Sequence, residues 1–328
     1  MSIDWTPFVE LVRRHPSFVL TTHVRPDGDG LGSMLALADA LEQMGKTVQM
    51  TVASVLPPRY DFLDPTRRVK QFVPPGDEYR TAEAVIVLDT GTWNQLGDFG
   101  TLLRQLPVAR AVIDHHLTQD DLGATRFVDV TAEATGRLVH DALVALEAPI
   151  TAEIAQRLFV ALAMDTGWFR HNNTTPATFA LAGRLEECGA RPTLAYELLF
   201  EQSTLGRLKL IGLVLGRMEL HLDGLVCSTA VHREDYSATG AVPQDSEDLV
   251  NYTRAVAGVE VGLFFMEQPR GGVKVSFRSR ARIDVARIAE QFGGGGHRLA
   301  SGAILDTTLE DARSRVLAAV ASALTASA

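Results

Sequence analysis

Residues 17–30 read SFVLTTHVRPDGDG, and the order of residue types in that stretch decides the fold. SFVLTT is apolar and β-branched, so a strand is expected over 17–22. His23 opens a turn, Arg25-Pro26-Asp27-Gly28-Asp29-Gly30, whose proline and glycines stop the strand. A helical pattern follows over 31–44, with Asp29 placed to act as its N-cap. Strand, polar turn and helix in that order begin a βαβ unit.

The same alternation continues outward. Further strands are expected at 47–53 (TVQMTVA), 84–88 (AVIVL), 111–113 (AVI) and 126–130, and helices at 132–147, 151–164 and 176–189. A run such as AVIVL, apolar on both faces, suits a parallel sheet covered by helices on each side. The second half changes pattern, with strands at 225–231, 259–266 and 273–278 and helices at 284–292 and 308–324. The expected class is therefore α/β: a parallel-sheet domain with helices on both faces over 1–190, a helical connector over 191–217, and a smaller α+β domain over 218–328.

With 328 residues, 46% hydrophobic and 22% charged, the chain has material for two cores, which excludes a disordered chain and a disulfide-stapled miniprotein. Cys188 and Cys227 have no metal-type spacing, so a reducing cytoplasm is expected. The start lacks the pattern of a secretory signal, and LKLIGLVLG at 208–216 is too short to span a membrane. The net charge of −9 argues against a surface that coats long nucleic acid, yet it is unevenly spread. Residues 270–300 hold Arg270, Lys274, Arg278, Arg280, Arg282, Arg287 and Arg298 against Asp284 and Glu290, a local +5 that leaves −14 elsewhere. An anionic ligand is expected beside that basic island.

In the first half, dense polar clusters follow apolar strands. His23, Asp27 and Asp29 follow the first, Asp89 follows AVIVL, and Asp114-His115-His116 follows AVI. Any one of these has an ordinary structural reading as a turn or cap. Together they converge on one sheet edge, where carboxylates crowd unless cations neutralise them. With Asp165, after the helix IAQRLFVALAM, there are six candidate metal ligands: His23, Asp27, Asp29, Asp89, His115 and Asp165. Oxygen and imidazole donors without thiolate suit Mn²⁺ or Mg²⁺, and six ligands suit two ions, the arrangement that clamps an in-line displacement at phosphorus. In the second half, Gly293-Gly294-Gly295-Gly296-His297-Arg298 with Arg278 and Arg280 is expected to cradle an anion on backbone N–H groups and guanidinium forks. Trp168, Phe169 and Phe277 are expected either to stack on a base or to pack in a core.

The motifs H-x-x-P-D-G-D-x-x-G-S (His23 to Ser33), V-L-D-T (Val87 to Thr90), I-D-H-H (Ile113 to His116) and D-T-G-x-F-R (Asp165 to Arg170) resemble, in order, those of the DHH phosphoesterase superfamily. V-S-F-R-S (Val275 to Ser279) and G-G-G-G-H-x-x-A-S-G (Gly293 to Gly302) resemble the DHHA1 domain that accompanies them. The likeness is strongest to the nanoRNase group. It implies a metal-dependent hydrolase acting on short oligoribonucleotides and on nucleotide bisphosphates such as 3′-phosphoadenosine 5′-phosphate. It implies two divalent ions, Mn²⁺ first and Mg²⁺ or Co²⁺ as alternatives. His23 and Asp27 would hold one, Asp29, His115 and Asp165 the other, with Asp89 bridging. Asp114 would orient a neighbour, and His116 would stand at the scissile phosphate. Arg170, Arg278, Arg280, Gly295, Gly296, His297 and Arg298 would bind substrate between the two domains. No long nucleic acid and no membrane is expected as partner, and a homodimer is among the expected assemblies. The alternatives are a soluble phosphodiesterase for cyclic or linear dinucleotides, or a nucleotide-binding module without catalysis. Two positions depart from the family. Gly30 stands where alanine is common, expected only to loosen that turn, and Gln95 stands where an arginine often precedes Leu-Gly.

Overall fold

Six parallel strands in the order β3-β2-β1-β4-β5-β6 form the first sheet of the computed structural model, which describes residues 3–326. The strands are β1 (Ser17–Thr21), β2 (Thr47–Val52), β3 (Val69–Gln71), β4 (Ala84–Leu88), β5 (Ala109–Asp114) and β6 (Thr125–Val128). Around them lie α1 (Thr6–Arg14), α2 (Gly28–Gln43), α3 (Gly97–Gln105), α4 (Thr135–Ala145), α5 (Ala152–Asp165), α6 (Pro176–Glu187) and α7 (Pro192–Phe200). Leu20, Ile86, Leu88 and Ile113 pack with residues of α1, α2, α4 and α5, while Val19, Val85, Val87 and Val112 pack with α3. Alternate side chains of the same strands thus enter two cores, which is why these strands read as unbroken apolar runs.

The strand order reverses between β1 and β4, and in open α/β sheets ligands bind outside the carboxyl ends at that point. β1 delivers His23 there and β4 delivers Asp89. The helices are held at close range by glycine. A Cβ on Gly32 of α2 would lie 2.5 Å from the Arg157 carbonyl oxygen of α5, and one on Gly136 of α4 would lie 2.6 Å from the Ala161 Cβ.

The chain divides into two units, Met1–Gln202 and Ser203–Ala328. The helical stretch 191–217, expected as a connector, is split by that division. Ala195 of α7 is buried in the first core, whereas Leu210 and Val214 of α8 (Leu205–Gly216) are buried in the second unit. The second unit continues with β7 (Glu219–His221), β8 (Val226–Val231), α9 (Arg233–Thr239), α10 (Val250–Arg254), β9 (Val261–Glu267), β10 (Val273–Ser279), α11 (Val285–Glu290), β11 (Gly295–His297), β12 (Ala300–Leu305) and α12 (Leu309–Ala326). Its sheet has the order β11-β12-β10-β9-β8-β7, parallel only between β8 and β9, so the α+β expectation holds.

Three local expectations change. Helix α2 begins at Gly28, because Asp27 is its N-cap and accepts from the Asp29 and Gly30 amides at 2.9 and 3.1 Å. Asp29 is thereby freed from capping. The glycine run is partly strand: β11 pairs antiparallel with β12, and a Cβ on Gly294 would lie 2.2 Å from the Gly302 oxygen. Gly30 is a steric requirement, since a Cβ there would lie 2.4 Å from Thr22 Oγ1 and 3.1 Å from His23 Nε2. Phe277 is fully buried in the second core. Among the described residues, no helix is long and apolar enough to cross a membrane.

Gly32→Ala should force α2 away from α5 and lower stability by about 1–3 kcal/mol, the usual scale of overpacking. Thermal denaturation followed by circular dichroism checks this; an unchanged melting temperature would show that the helix spacing is not set at this glycine.

Candidate metal centre

Each of the six expected ligands sits where a structural element ends. His23 and Asp89 follow β1 and β4, His115 follows β5, Asp27 and Asp29 open α2, and Asp165 closes α5. The structure brings all six together in two groups. His23, Asp27 and Asp89 offer ligand atoms within 4.8 Å of one another, and so do Asp29, His115 and Asp165. Asp89 joins the groups: its Oδ2 lies 3.4 Å from His23 Nε2 and its Oδ1 lies 3.6 Å from His115 Nε2. His115 Nε2 is also 3.8 Å from Asp29 and 3.6 Å from Asp165. These separations are too long for hydrogen bonds. They approach the spacing of about 3 Å between donors that share a cation at roughly 2.1 Å.

The imidazoles are pre-set for that role. His23 Nδ1 meets the Val24 carbonyl oxygen and His115 Nδ1 meets the Ala132 carbonyl oxygen, each at 3.0 Å. A carbonyl only accepts, so Nδ1 carries a proton and Nε2 is the nitrogen left facing the site to ligate an ion. Asp29, fully buried, is held by the N-terminus of α4. Its Oδ2 accepts from the Thr135 amide at 2.7 Å, and its Oδ1 from the Gly136 amide at 2.9 Å and Ser33 Oγ at 3.1 Å. Thr135 Oγ1 donates to Asp89 Oδ1 at 2.8 Å. Asp89 has a backbone φ of +61°, a left-handed conformation that costs roughly 1–3 kcal/mol and is retained where surroundings enforce it. Here the enforcement includes the Asp89 amide bonded to the Ile113 oxygen at 3.0 Å. Asn173 Nδ2 ties the Asp165 and Glu133 carbonyls at 3.3 and 3.1 Å. Thr135, Gly136, Ser33 and Asn173 were not among the expected site residues. Ser33 carried a signal as the last residue of the first motif.

The electrostatics favour cations. Burial, then the charges of Asp89, Asp165 and Asp27, push the Asp29 carboxyl well above its usual range. Burial and the charges of Asp89 and Asp27 raise Asp165 too, against the pull of His115. For His23, burial favours the neutral ring, but the carboxylates of Asp27 and Asp89 facing its Nε2 overcome it and raise the pKa to about 11. The donor set, with buried carboxylates whose ion partners are histidines, fits two divalent ions.

Asp114 is fully buried beside this group and His116 is half-exposed. Asp114 Oδ1 accepts from His116 Nδ1 at 2.7 Å and from the His116 amide at 3.1 Å, leaving His116 Nε2 turned away from that carboxylate. The Asp114 hydrogen bond outweighs burial and raises the His116 pKa. Arg170 is exposed, with Nε on the Gly167 oxygen at 2.7 Å. Trp168 and Phe169 pack against Phe159, Tyr196, Phe200 and Phe179, which favours the packing role for both. A separate depression of about 560 Å³, lined by Asp39, Glu42, Arg68 and Arg157 among others, lies at the far ends of α2 and α5 and contains its own ion pairs.

The other expected binding residues form a group within the second unit. Arg278 and His297 both pair across strands with Ala300, which puts them on one sheet face with only that small residue between. Burial lowers the Arg278 pKa against the pull of Asp248, and the like charge of Arg254 adds to the lowering. Gly295, His297 and Arg298 are exposed, and a Cβ on Gly295 would meet nothing within 4 Å. Gly296 has φ +143° and lies close against Ser301, so the sheet itself requires glycine there. Arg280 is committed to the Val259 and Arg254 carbonyl oxygens at 3.0 and 2.9 Å, and Arg298 reaches the Ala281 oxygen at 3.2 Å.

The family model of the DHH family, N-terminal domain, matches residues 17–164, and that of the DHHA1 domain matches residues 229–326. The protein named bifunctional oligoribonuclease and PAP phosphatase NrnA from Thermus thermophilus is 35% identical over 310 residues, covering 93% of this chain and 90% of the relative. Its namesake from Bacillus subtilis is 25% identical over 305 residues, covering 91% and 92%. The crystal structure of an exopolyphosphatase-related protein from Bacteroides fragilis has the same fold, with a TM-score of 0.88 at 24% identity over 97% of this chain and 95% of that one. The chain is thus a phosphoester hydrolase with a metal-dependent site, and it belongs to the DHH family with its DHHA1 domain.

Because an imidazole must be neutral to ligate a metal, loading the site has to expel the proton that His23 holds. The raised pKa therefore makes metal affinity climb with pH between 6.5 and about 11. Titration calorimetry with Mn²⁺ at neutral pH, in two buffers of different ionisation enthalpy, should register proton release. Identical heats in both buffers would contradict it.

Proposed function

We propose that the protein is a two-metal phosphoesterase that cuts oligoribonucleotides of about 2–5 residues to mononucleotides and converts 3′-phosphoadenosine 5′-phosphate to AMP. The observation that carries this reading is the convergence of the six ligands at the sheet's switch point, in a chain 35% identical to a relative named for both activities. His23 and Asp27 would hold one ion, Asp29, His115 and Asp165 the other, and Asp89 both, since its two oxygens face the two groups separately. When bound, two divalent ions, Mn²⁺ first and Mg²⁺ or Co²⁺ as alternatives, supply Lewis-acid polarisation of the phosphate and an activated water.

The chain's own residues do the rest. The α4 N-terminus and Ser33 keep the Asp29 carboxylate fixed, so that its lone pairs point into the site. His116, whose proton affinity the bond to Asp114 raises, would hold a proton at Nε2 for the leaving oxygen. Arg170 is close in sequence to Asp165 and is read as a substrate contact. In the second unit Arg278, His297, Gly295 and Arg298 would take a terminal phosphate, with Arg280 and Gly296 shaping the surrounding backbone. That group is too small to follow a long strand, which limits the substrate. Unpaired Cys188 and Cys227 accord with a cytoplasmic setting.

An RNA dinucleotide should turn over at least about tenfold faster than a strand of about 24 residues. Equal or faster cleavage of the long strand would overturn the substrate assignment, and preference for a cyclic dinucleotide would move the enzyme to a neighbouring activity. Arg278→Ala should raise KM with little change in kcat, as removal of uniform binding does; a loss confined to kcat would place Arg278 in the chemical step.

A further inference from the structure

Behind His116 stands a half-buried amide that none of the family motifs contains. Gln119 Nε2 donates to Asp114 Oδ2 at 2.5 Å and to the His116 carbonyl oxygen at 3.1 Å. Asp114 Oδ1 meanwhile accepts both N–H groups of His116. A carboxylate only accepts, so the amide nitrogen of Gln119 must face Asp114 and the orientation is unambiguous. Both oxygens of a fully buried carboxylate are then fixed, one by Gln119 and the other by the histidine it orients. Without the amide, Asp114 could rotate about its Cβ–Cγ bond and carry His116 with it.

The loop after β4 is shaped around this amide. Gly91 pairs with Gln119 in an isolated parallel bridge, and a Cβ on Gly91 would lie 1.8 Å from Gln119 Oε1. The Gln119 amide thus occupies the space a side chain at 91 would take, and a β-carbon there would displace it. The Asp120 amide bonds the Gly91 oxygen at 2.8 Å, and the Trp93 amide bonds Asp120 Oδ2 at 2.9 Å. Gln119 Oε1 is buried without a partner. The amide oxygen is thus left unsatisfied while the amide nitrogen is spent on Asp114 and the His116 carbonyl.

We propose that Gln119 is a positioning residue for the hydrolysis. It locks the Asp114 carboxylate so that His116 keeps its proton-bearing Nδ1 on Asp114 and its Nε2 toward the phosphate, and Gly91 is the space that admits it. The inference rests on the hydrolase reading for its consequence in turnover, but the lock itself exists in the protein without substrate or metal.

The test uses the full chain with Gln119→Leu, Gln119→Asn and Gly91→Ala. In the metal-free protein, NMR of ¹⁵N-labelled histidine should show the His116 Nδ1–H as a slowly exchanging, downfield signal. That signal should be lost or shifted in Gln119→Leu and in Gly91→Ala and partly recovered in Gln119→Asn. With Mn²⁺ and an RNA dinucleotide, Gln119→Leu should lower kcat about 10- to 100-fold with KM and bound Mn²⁺ unchanged. Combined with His116→Ala, it should cause no further loss, because the two would act on one step. An unchanged His116 signal in Gln119→Leu, or full additivity with His116→Ala, would overturn the proposal. Absence of turnover in the unmutated protein would strike the hydrolase reading instead, and the NMR result would still decide the lock.

Discussion

The first unit is organised around keeping several carboxylates ionised in a place that disfavours them. Asp29 is buried within reach of the charges of Asp89, Asp165 and Asp27, and burial alone pushes its proton affinity upward. The protein answers with oriented N–H groups: the first turn of α4 on Asp29, and the first turn of α2 on Asp27. Helix N-termini favour negative charge, but each offers only a partial positive charge of about one half. Two such ends do not neutralise four carboxylates. Divalent cations held by the same residues would complete the balance, and the close packing of α2, α4 and α5 through glycine places both N-termini beside them.

This constraint explains the division between rigid and strained parts. The strands deliver histidines whose Nδ1 atoms are tied to backbone carbonyls, so ring orientation follows from the sheet and its loops. Asp89 alone among the six candidate ligands has a left-handed backbone, and it is the one whose oxygens face both groups. A side chain whose two oxygens face different groups has less freedom to adjust, so the backbone takes up the mismatch. The second unit carries out a different task with different means, using a mixed sheet whose close strand approach exposes guanidinium and imidazole groups on one face.

Much of this was legible in the sequence, for a physical reason. Ligand chemistry is written in side chains, and a strand followed by a polar cluster marks both the element and the edge where it ends. His23, Asp27, Asp29, Asp89, His115 and Asp165 could therefore be picked out together, and the structure does bring them together. What was not legible depends on backbone or on empty space. The amides of Thr135 and Gly136 bond Asp29 whatever side chains they carry. The Gly295–His297 strand has almost no side chains to show alternation, and its pairing with β12 emerges only in three dimensions. Gln119 resembles any polar loop residue until Gly91 is seen against it.

The contact between position 30 and Thr22 has a consequence for how this sequence can change. A Cβ at position 30 would strike Thr22 Oγ1 at 2.4 Å and crowd the His23 ring. Alanine, common at this place in the family, is closed to this chain while Thr22 keeps its present rotamer. A β-carbon at 30 is admitted only if the Thr22 hydroxyl turns away or residue 22 is replaced, and His23 gives slightly. The two positions are coupled: what position 30 tolerates is set by the residue at 22 and its rotamer, so a substitution that is neutral in one relative carries a cost in another.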